Sequence, residues 1–105
     1  MTLDATYGAL AHPARRAMVS RLAHAPVRVT DLAASFPISL VAVSKHIRVL
    51  EGAGLVRRDI RGREHLLSLE AAPLASAAAW LSAYRQFWEE RLDLLESRIL
   101  ESRDR

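Results

Sequence analysis

A long amphipathic helix near the end of the chain limits most strongly what the rest can fold into. Neither glycine nor proline interrupts residues 74–102, and a helix of that length spans roughly 40 Å. Leu74, Leu81, Trp88 and Leu95 recur along it every seven residues. The whole chain has 105 residues, which fits one small domain. Part of the apolar stripe is therefore expected to bury itself against a second copy.

Composition narrows the class of protein. Half of the residues are hydrophobic and 26% are charged, as expected for a folded globular domain. The chain has no cysteine, which excludes disulfides, thiolate metal ligands and cysteine redox switches. No apolar run approaches the roughly 20 residues of a membrane helix, and the N-terminal residues lack the layout of a signal peptide. We therefore expect a cytoplasmic protein without membrane contact.

Two short helices in the middle of the chain predict a helix-turn-helix at about residues 30–53. Thr30 is a candidate N-cap for a helix through Phe36, and Pro37 ends that helix. Ser39 is a second N-cap candidate and opens another helix to about Ala53. Only about three residues separate the two helices, which is typical of this motif.

The flanking segments complete the predicted fold. Leu3–Ala11 is compatible with a first helix, and Pro13 suits the first position of a second. Downstream, Leu55–Ile60 and His65–Leu69 are two predicted strands around a glycine-containing turn, which together form a wing at about residues 55–69. The sequence predicts one domain over residues 1–105, mainly α with a small β-hairpin wing. This winged helix-turn-helix has four helices, two strands and a final helix at about residues 72–102.

The fourth helix has two chemically different faces. Val43, His46, Ile47 and Leu50 lie on one side of a helical wheel and are expected to pack in the core, with His46 as a hydrogen-bonded core histidine. The opposite side is small, hydroxylated and basic, which suits insertion into a DNA major groove. Its members are Val41, Ser44, Lys45 and Arg48. The alternative is an ordinary solvated face.

The arginines of the wing indicate that the partner of this protein is a nucleic acid. Four cations fall within seven residues, namely Arg57, Arg58, Arg61 and Arg63. An arginine-bearing hairpin tip can enter a minor groove and gain from its negative potential.

Charge is also uneven along the chain. Residues 1–69 have ten Lys/Arg against five Asp/Glu, a net charge of +5, whereas residues 70–105 have five against seven, a net charge of −2.

Several motifs together resemble the ArsR-type winged-helix repressors. They are Val29-Thr30-Asp31-Leu32-Ala33, Ile38-Ser39, Ala42-Val43-Ser44-Lys45-His46-Ile47-Arg48-Val49-Leu50, Ala53-Gly54-Leu55-Val56 and Gly62-Arg63. Ala9-Leu10-Ala11-His12-Pro13-Ala14-Arg15-Arg16 resembles that family's junction between the first two helices, although His12 stands where the family usually has an aspartate. The resemblance covers nearly the whole chain.

The resemblance implies a homodimeric repressor that binds double-stranded operator DNA at an inverted repeat. The predicted DNA-binding residues are Thr30, Ser39, Val41, Ser44, Lys45, Arg48, Arg57, Arg61, Gly62 and Arg63. The first and last helices are expected to form the dimer interface through Leu3, Tyr7, Leu81, Tyr84, Trp88, Leu92, Leu95 and Ile99. The aromatic cluster of the last helix is interpreted as dimer core, with an apolar ligand pocket as the alternative. Its members are Trp80, Tyr84, Phe87 and Trp88.

No cofactor or metal is predicted, and any small-molecule effector is unknown from sequence. Residues 70–105 contain no histidine, and interleaved arginines indicate that Glu89, Asp93 and Glu96 form a solvated, salt-bridged face. The sequence resembles the metal-independent branch of the family. No catalytic motif or phosphate-binding glycine loop is present, so an enzyme is not expected. A winged helix used for protein contacts is the remaining alternative, because Leu40 and Val41 could serve as apolar anchors.

Overall fold

The computed structural model of the chain describes residues 2–103, which form five helices and one antiparallel sheet. The helices are α1 (Leu3–Leu10), α2 (Pro13–Leu22), α3 (Val29–Ala34), α4 (Leu40–Gly52) and α5 (Ala72–Arg103). The strands are β1 (Val27–Arg28), β2 (Val56–Arg61) and β3 (Glu64–Leu69), in the order β1-β3-β2. The predicted mainly helical fold with a hairpin wing is therefore confirmed. The name wing is kept below for β2, β3 and their turn.

The segment that leads into α3 differs from the expectation. Val27 and Arg28 pair with Leu67 and Leu66 of β3, which adds a short third strand to the predicted hairpin. The chain passes directly from that strand into α3, with Arg28 in the extended backbone conformation of an N-cap and no side-chain cap. The prediction that Thr30 caps this helix is wrong, because β1 pairing makes the helix start one residue before it.

Both ends of α4 are fixed by local sequence. The Ser39 hydroxyl accepts a hydrogen bond from the Ala42 N–H at 3.1 Å, so the predicted N-cap is confirmed. At the other end Gly54 adopts φ +74°, a conformation that favours glycine. The Leu55 N–H then donates to the Leu50 carbonyl, and the Gly54 N–H donates to the Glu51 carbonyl, both at 3.0 Å. This Schellman-type ending turns the chain directly into β2.

The wing closes with a two-residue turn, Gly62-Arg63. Gly62 has φ +62° and Arg63 has no positive φ, which matches the glycine-first turn that follows the twist of paired strands. In the ladder Arg61 lies opposite Glu64, and Arg58 lies opposite Leu67. Because side chains alternate along a strand, Arg58 and Arg61 point to opposite faces of the wing.

One apolar core holds these elements together. Its fully buried side chains come from α2, α3, α4, β3 and the turn before β2. They include Met18, Leu32, Val43, Ile47, Leu50, Leu55 and Leu67. Three of them, Val43, Ile47 and Leu50, lie on the predicted core face of α4 and are confirmed as buried. Packing through that face leaves the opposite side of α4 in solvent.

Helix α5 extends far beyond this core. Within it only Pro73 and Ala77 are buried. The accessible surface of the chain is 7704 Å², whereas a compact monomer of 11.7 kDa exposes about 5,900 Å². The radius of gyration is 19.8 Å, against about 13 Å for a compact domain of this length. No helix within residues 2–103 has the length and apolarity needed to cross a membrane.

Candidate nucleic-acid interface

The solvent face of α4 presents the side chains that the sequence assigned to DNA. Val41, Lys45 and Arg48 are exposed, at roughly 100° per residue on the side opposite the buried Val43 and Ile47. Val41 is 66% exposed. This face therefore combines an aliphatic group with two long cations, a set that can contact a thymine methyl, base edges and phosphates.

One flank of α4 borders a groove that separates it from the wing. The groove has a volume of about 360 Å³ and contains Thr30, Leu40 and Ser44 on the helical side. On the other side it is lined by Arg28, Arg58, Arg63, Glu64 and His65. The structure thus brings Thr30, Ser44 and Arg63 together, three of the predicted DNA-binding residues. Ser39 lies just before the same end of α4, where it caps the helix.

The predicted wing residues divide between the two faces of the hairpin. Arg57 and Arg61 lie on the face turned away from Arg58 and His65. The Arg57 Nε atom is 3.5 Å from Glu70 Oε1 at the base of the wing, so Arg57 is not brought together with the groove residues. Arg61 donates to Asp59 Oδ2 at 3.0 Å near the tip. Both arginine side chains are more than 70% exposed, so these ion pairs are weak and can exchange partners.

Three predicted DNA-binding cations differ from the others in having no carboxylate within ion-pair distance among residues 2–103. They are Lys45, Arg48 and Arg63. Lys45 is also the only lysine in the sequence. A cation without an internal partner keeps its full charge for an external anion, because it has no neutralising contact to break.

Six groove residues were not among the predicted binding residues, and the basic ones are Arg28, Arg58 and His65. Arg28 lies in β1, a strand too short for a periodic pattern to indicate. The Arg58 guanidinium donates to Glu51 Oε1 at 2.7 Å and lies 3.0 Å from His65 Nδ1. The arginine run predicted a cation at position 58. The partner on α4 could not be predicted, since that contact depends on the tertiary fold.

The second flank of α4 meets the junction of α1 and α2 through His46. Its Nδ1 atom is 3.1 Å from Arg15 Nη1, and its ring centroid is 4.4 Å from that of His12. Burial, followed by the charges of His12 and Arg15, lowers the pKa of His46 below its usual value of about 6.5. His46 is half-buried and hydrogen-bonded at the rim of the core. The core position predicted for it is therefore only partly correct.

His12 performs the capping role of the aspartate that is usual in the resembled family. Its Nδ1 atom accepts a hydrogen bond from the Ala14 N–H at 3.0 Å. Arg15 in turn donates to the carbonyls of Ala9 and Gly8, which lie at the end of α1. These contacts tie α1, α2 and α4 into one unit and fix the orientation of α4 from this side.

The predicted dimer residues form an exposed apolar surface along α5. The exposed fraction of the six predicted side chains ranges from 49% to 61%, namely Leu81, Tyr84, Trp88, Leu92, Leu95 and Ile99. On α1, Leu3 and Tyr7 are half-buried. The Tyr7 hydroxyl donates to the Ala77 carbonyl at 3.1 Å, and its ring packs edge-on against Trp80. Tyr7 therefore supports the start of α5 within its own chain.

Comparisons with known proteins agree with this geometry. The family described as "Helix-turn-helix domain" matches residues 10–59. The HTH-type transcriptional regulator Rv2034 of Mycobacterium tuberculosis is 39% identical over 89 residues, which is 85% of this chain and 80% of the relative.

Solved structures extend the likeness to the whole fold. The crystal structure of the ArsR family transcriptional regulator RHA00566 superposes with a TM-score of 0.77 at 37% identity, and covers 83% of this chain and 90% of that one. A domain of Mb0332 from Mycobacterium bovis, described as a homodimeric winged helix-turn-helix DNA-binding domain, shares the fold with a TM-score of 0.63. Its identity is 21%, and the match covers 78% of this chain and 76% of that domain.

Proposed function

Because the chain belongs to the ArsR family of winged helix-turn-helix transcriptional regulators, we propose that it represses transcription by binding an inverted-repeat operator as a homodimer. Members of this family are regulators and not enzymes, which agrees with the sequence prediction. The observation that carries the proposal is a set of three cations on α4 and the tip of the wing, Lys45, Arg48 and Arg63, which have no carboxylate partner within residues 2–103.

Base reading is assigned to α4. A helix that enters a major groove reads base edges through donor and apolar side chains on its inserted face, and the face with Val41, Ser44, Lys45 and Arg48 offers both. Arg48 and Lys45 have the donors that recognise guanine O6 and N7, and Val41 can pack on a thymine methyl. Arg63 at the tip of the wing is assigned to the phosphates or minor groove beside the same half-site.

A protein-binding role for the same surface is the alternative. Leu40, Val41 and Ile60 are each more than 60% exposed, and such groups could anchor a partner protein. They are separated by cations and by Ser44, however, and the apolar core typical of protein interfaces is missing from this part of the described surface. The mixture is better suited to DNA, where methyl groups and phosphates lie close together.

Dimerisation is assigned to α5. The surface in excess of a compact monomer is roughly 1,800 Å², which is comparable to what one protomer buries in a permanent dimer. The exposed Trp88, Leu92, Leu95 and Ile99 lie at alternating four- and three-residue spacing, as in a helix that packs on another helix. A two-fold dimer would present its two α4 helices about 34 Å apart, one turn of DNA. The homodimeric domain of Mb0332 supports this arrangement by its fold.

Repression without a metal inducer completes the proposal. On α5 the Arg85 Nε atom donates to Glu89 Oε1 at 3.1 Å, so this carboxylate is already paired with a cation. No group of three metal-ligating side chains occurs within residues 2–103. We expect that micromolar Zn²⁺ or Ni²⁺ leaves operator affinity unchanged. Release of DNA by one of these ions would contradict this part of the proposal.

The experiment compares DNA binding of three proteins by fluorescence anisotropy. Wild type, the double variant Lys45→Ala, Arg48→Ala and the charge-matched control Arg21→Ala, Arg103→Ala are titrated into operator and scrambled duplexes. The two control residues lie outside α4 and the wing. We expect the control to retain operator selectivity and the α4 variant to lose it, with unchanged helix content and melting temperature. An equal loss of operator selectivity in the α4 variant and the control would refute base reading by α4.

A further inference from the structure

Arg58 connects the two DNA-facing elements of this domain. It projects from β2, and its Nη2 atom donates to Glu51 Oε1 in the last turn of α4 at 2.7 Å. Its Nη1 atom is 3.0 Å from Nδ1 of His65 on the neighbouring strand β3. One guanidinium therefore links α4 to both strands of the wing.

The Arg58–Glu51 pair differs from the other ion pairs of the wing in its burial. The two side chains are 25% and 31% exposed, whereas those of Arg57 and Arg61 exceed 70%. A charge-assisted hydrogen bond that is shielded from water is stronger and more rigid than an exposed ion pair. Both Nη atoms of Arg58 have partners within the protein, and its charge is neutralised by Glu51.

We propose that Arg58 is a positioning residue, which sets the distance between α4 and the tip of the wing and does not itself bind a phosphate. Beyond Arg58 the tip continues through exposed residues, including Ile60, Gly62 and Arg63. A two-stranded hairpin is only marginally stable by itself. The link to Glu51 therefore determines whether Arg63 reaches the DNA while α4 occupies the major groove. The inference rests on the proposed function, since it concerns how that interface is assembled.

The direction in which one substitution changes DNA affinity distinguishes a positioning role of Arg58 from a direct contact with DNA. Glu51→Gln removes a negative charge near the DNA, which by electrostatics alone strengthens binding to every duplex. If Arg58 positions the wing, the same substitution weakens operator binding, because the guanidinium loses its ionic partner. Arg58→Ala gives the second criterion. Loss of one phosphate contact lowers the slope of log affinity against log salt by about 0.9. If Arg58 acts by positioning Arg63, Arg58→Ala loses only the Arg63 contact and changes nothing further in an Arg63→Ala background, whereas a phosphate contact made by Arg58 itself would lower the slope by about 0.9 more.

The test uses the full chain and measures anisotropy at three salt concentrations with operator and scrambled duplexes. Arg63→Ala serves as the reference for a phosphate contact. We expect Glu51→Gln and Arg58→Ala each to lower the operator-to-scrambled affinity ratio about tenfold, and each to lower the slope by no more than the roughly 0.9 of the single Arg63 contact. We expect the double variant Arg58→Ala, Arg63→Ala to have the same slope as Arg63→Ala. We expect Arg63→Ala to lower the slope by about 0.9. A slope for the double variant Arg58→Ala, Arg63→Ala about 0.9 below that of Arg63→Ala alone, or tighter binding by Glu51→Gln to both duplexes, would overturn the inference.

Amide hydrogen exchange tests the same link without DNA. Glu51→Gln is expected to speed exchange at the tip of the wing, residues 60–64, while the core amides of α2 remain as protected as in wild type. Unchanged exchange at the tip would also overturn the inference. Failure of the proposed function can be told apart from failure of this inference. If the proposed function is wrong, wild type itself binds both duplexes equally. The exchange experiment, which needs no DNA, still decides whether Arg58 positions the wing.

Discussion

Replacing Trp88 with alanine should weaken the dimer far more than the fold of the single chain. Trp88 is 61% exposed within one chain, and its neighbours along the helix are Phe87 and Glu89. A buried tryptophan removes about 150–250 Å² from water, so a partner would cover on the order of 90–150 Å² more of this ring. At about 25 cal/mol per Å², that burial contributes about 2–4 kcal/mol per ring.

A symmetric dimer contains two such rings, so the loss in association free energy is about 4–8 kcal/mol if cover is complete. Even half of that raises the dissociation constant by 30-fold to 1,000-fold, on the order expected from 1.4 kcal/mol per decade. The assay is sedimentation velocity over a range of protein concentrations, with circular dichroism to follow helix content. Leu100→Ala is the control, since Leu100 is similarly exposed at 52% but lies about 100° around the helix from Ile99.

The result that refutes this reasoning is a dissociation constant for Trp88→Ala within tenfold of wild type, or equal to that of Leu100→Ala. Either outcome would show that this side of α5 faces water. Unfolding of the monomer's core, beyond fraying of the uncovered part of α5, would contradict the account differently, because it would place Trp88 in the core of its own chain. An apolar stripe alone predicts neither the weaker dimer nor the intact single chain, since such a stripe could equally pack within one chain.

Three further predictions concern α4. The pKa of His46 is lowered, chiefly by burial and then by His12 and Arg15. The folded state therefore favours the neutral imidazole, and this contribution to stability is fully present above about pH 6.5. It is lost as the pH falls through the lowered pKa of the folded state. Melting from pH 7.5 to 5.5 should therefore destabilise wild type more than His46→Asn, and equal losses would contradict this. Operator DNA should protect Lys45 from acetylation measured by mass spectrometry, and equal rates with scrambled DNA would exclude it from the interface. Replacing single operator thymines with uracil should weaken binding by wild type but not by Val41→Ala, and insensitivity of wild type would remove the methyl contact.

The two faces of α4 could be predicted because a helix has one period. Once Val43, Ile47 and Leu50 were recognised as core, the exposed position of Lys45 and Arg48 followed from 3.6 residues per turn. The caps followed from local chemistry as well, with Ser39 at one end and a glycine at the other. Local rules were sufficient here because each contact lies within a few residues of its partner.

Contacts between elements were the part that the sequence could not reveal. The Arg58–Glu51 pair depends on where the wing packs, and neighbouring arginines in the same run have different partners. Strand β1 has only two residues, too few for an alternating pattern, and its pairing moved the start of α3 ahead of Thr30. His46 fits the apolar face of the wheel, yet its ring lies at the rim because Arg15 and His12 approach from α2 and its N-cap.

Selection of bound duplexes from a random pool tests the central claim most directly. Purified wild-type protein is incubated with double-stranded DNA of random sequence, and bound molecules are amplified and sequenced over several rounds. We expect enrichment of one inverted repeat whose half-site centres lie about 10–10.5 base pairs apart, as two α4 helices of a two-fold dimer require. The same selection with Lys45→Ala, Arg48→Ala should enrich nothing. A pool that stays random with wild type, or that converges on a site without two-fold symmetry, would contradict the account.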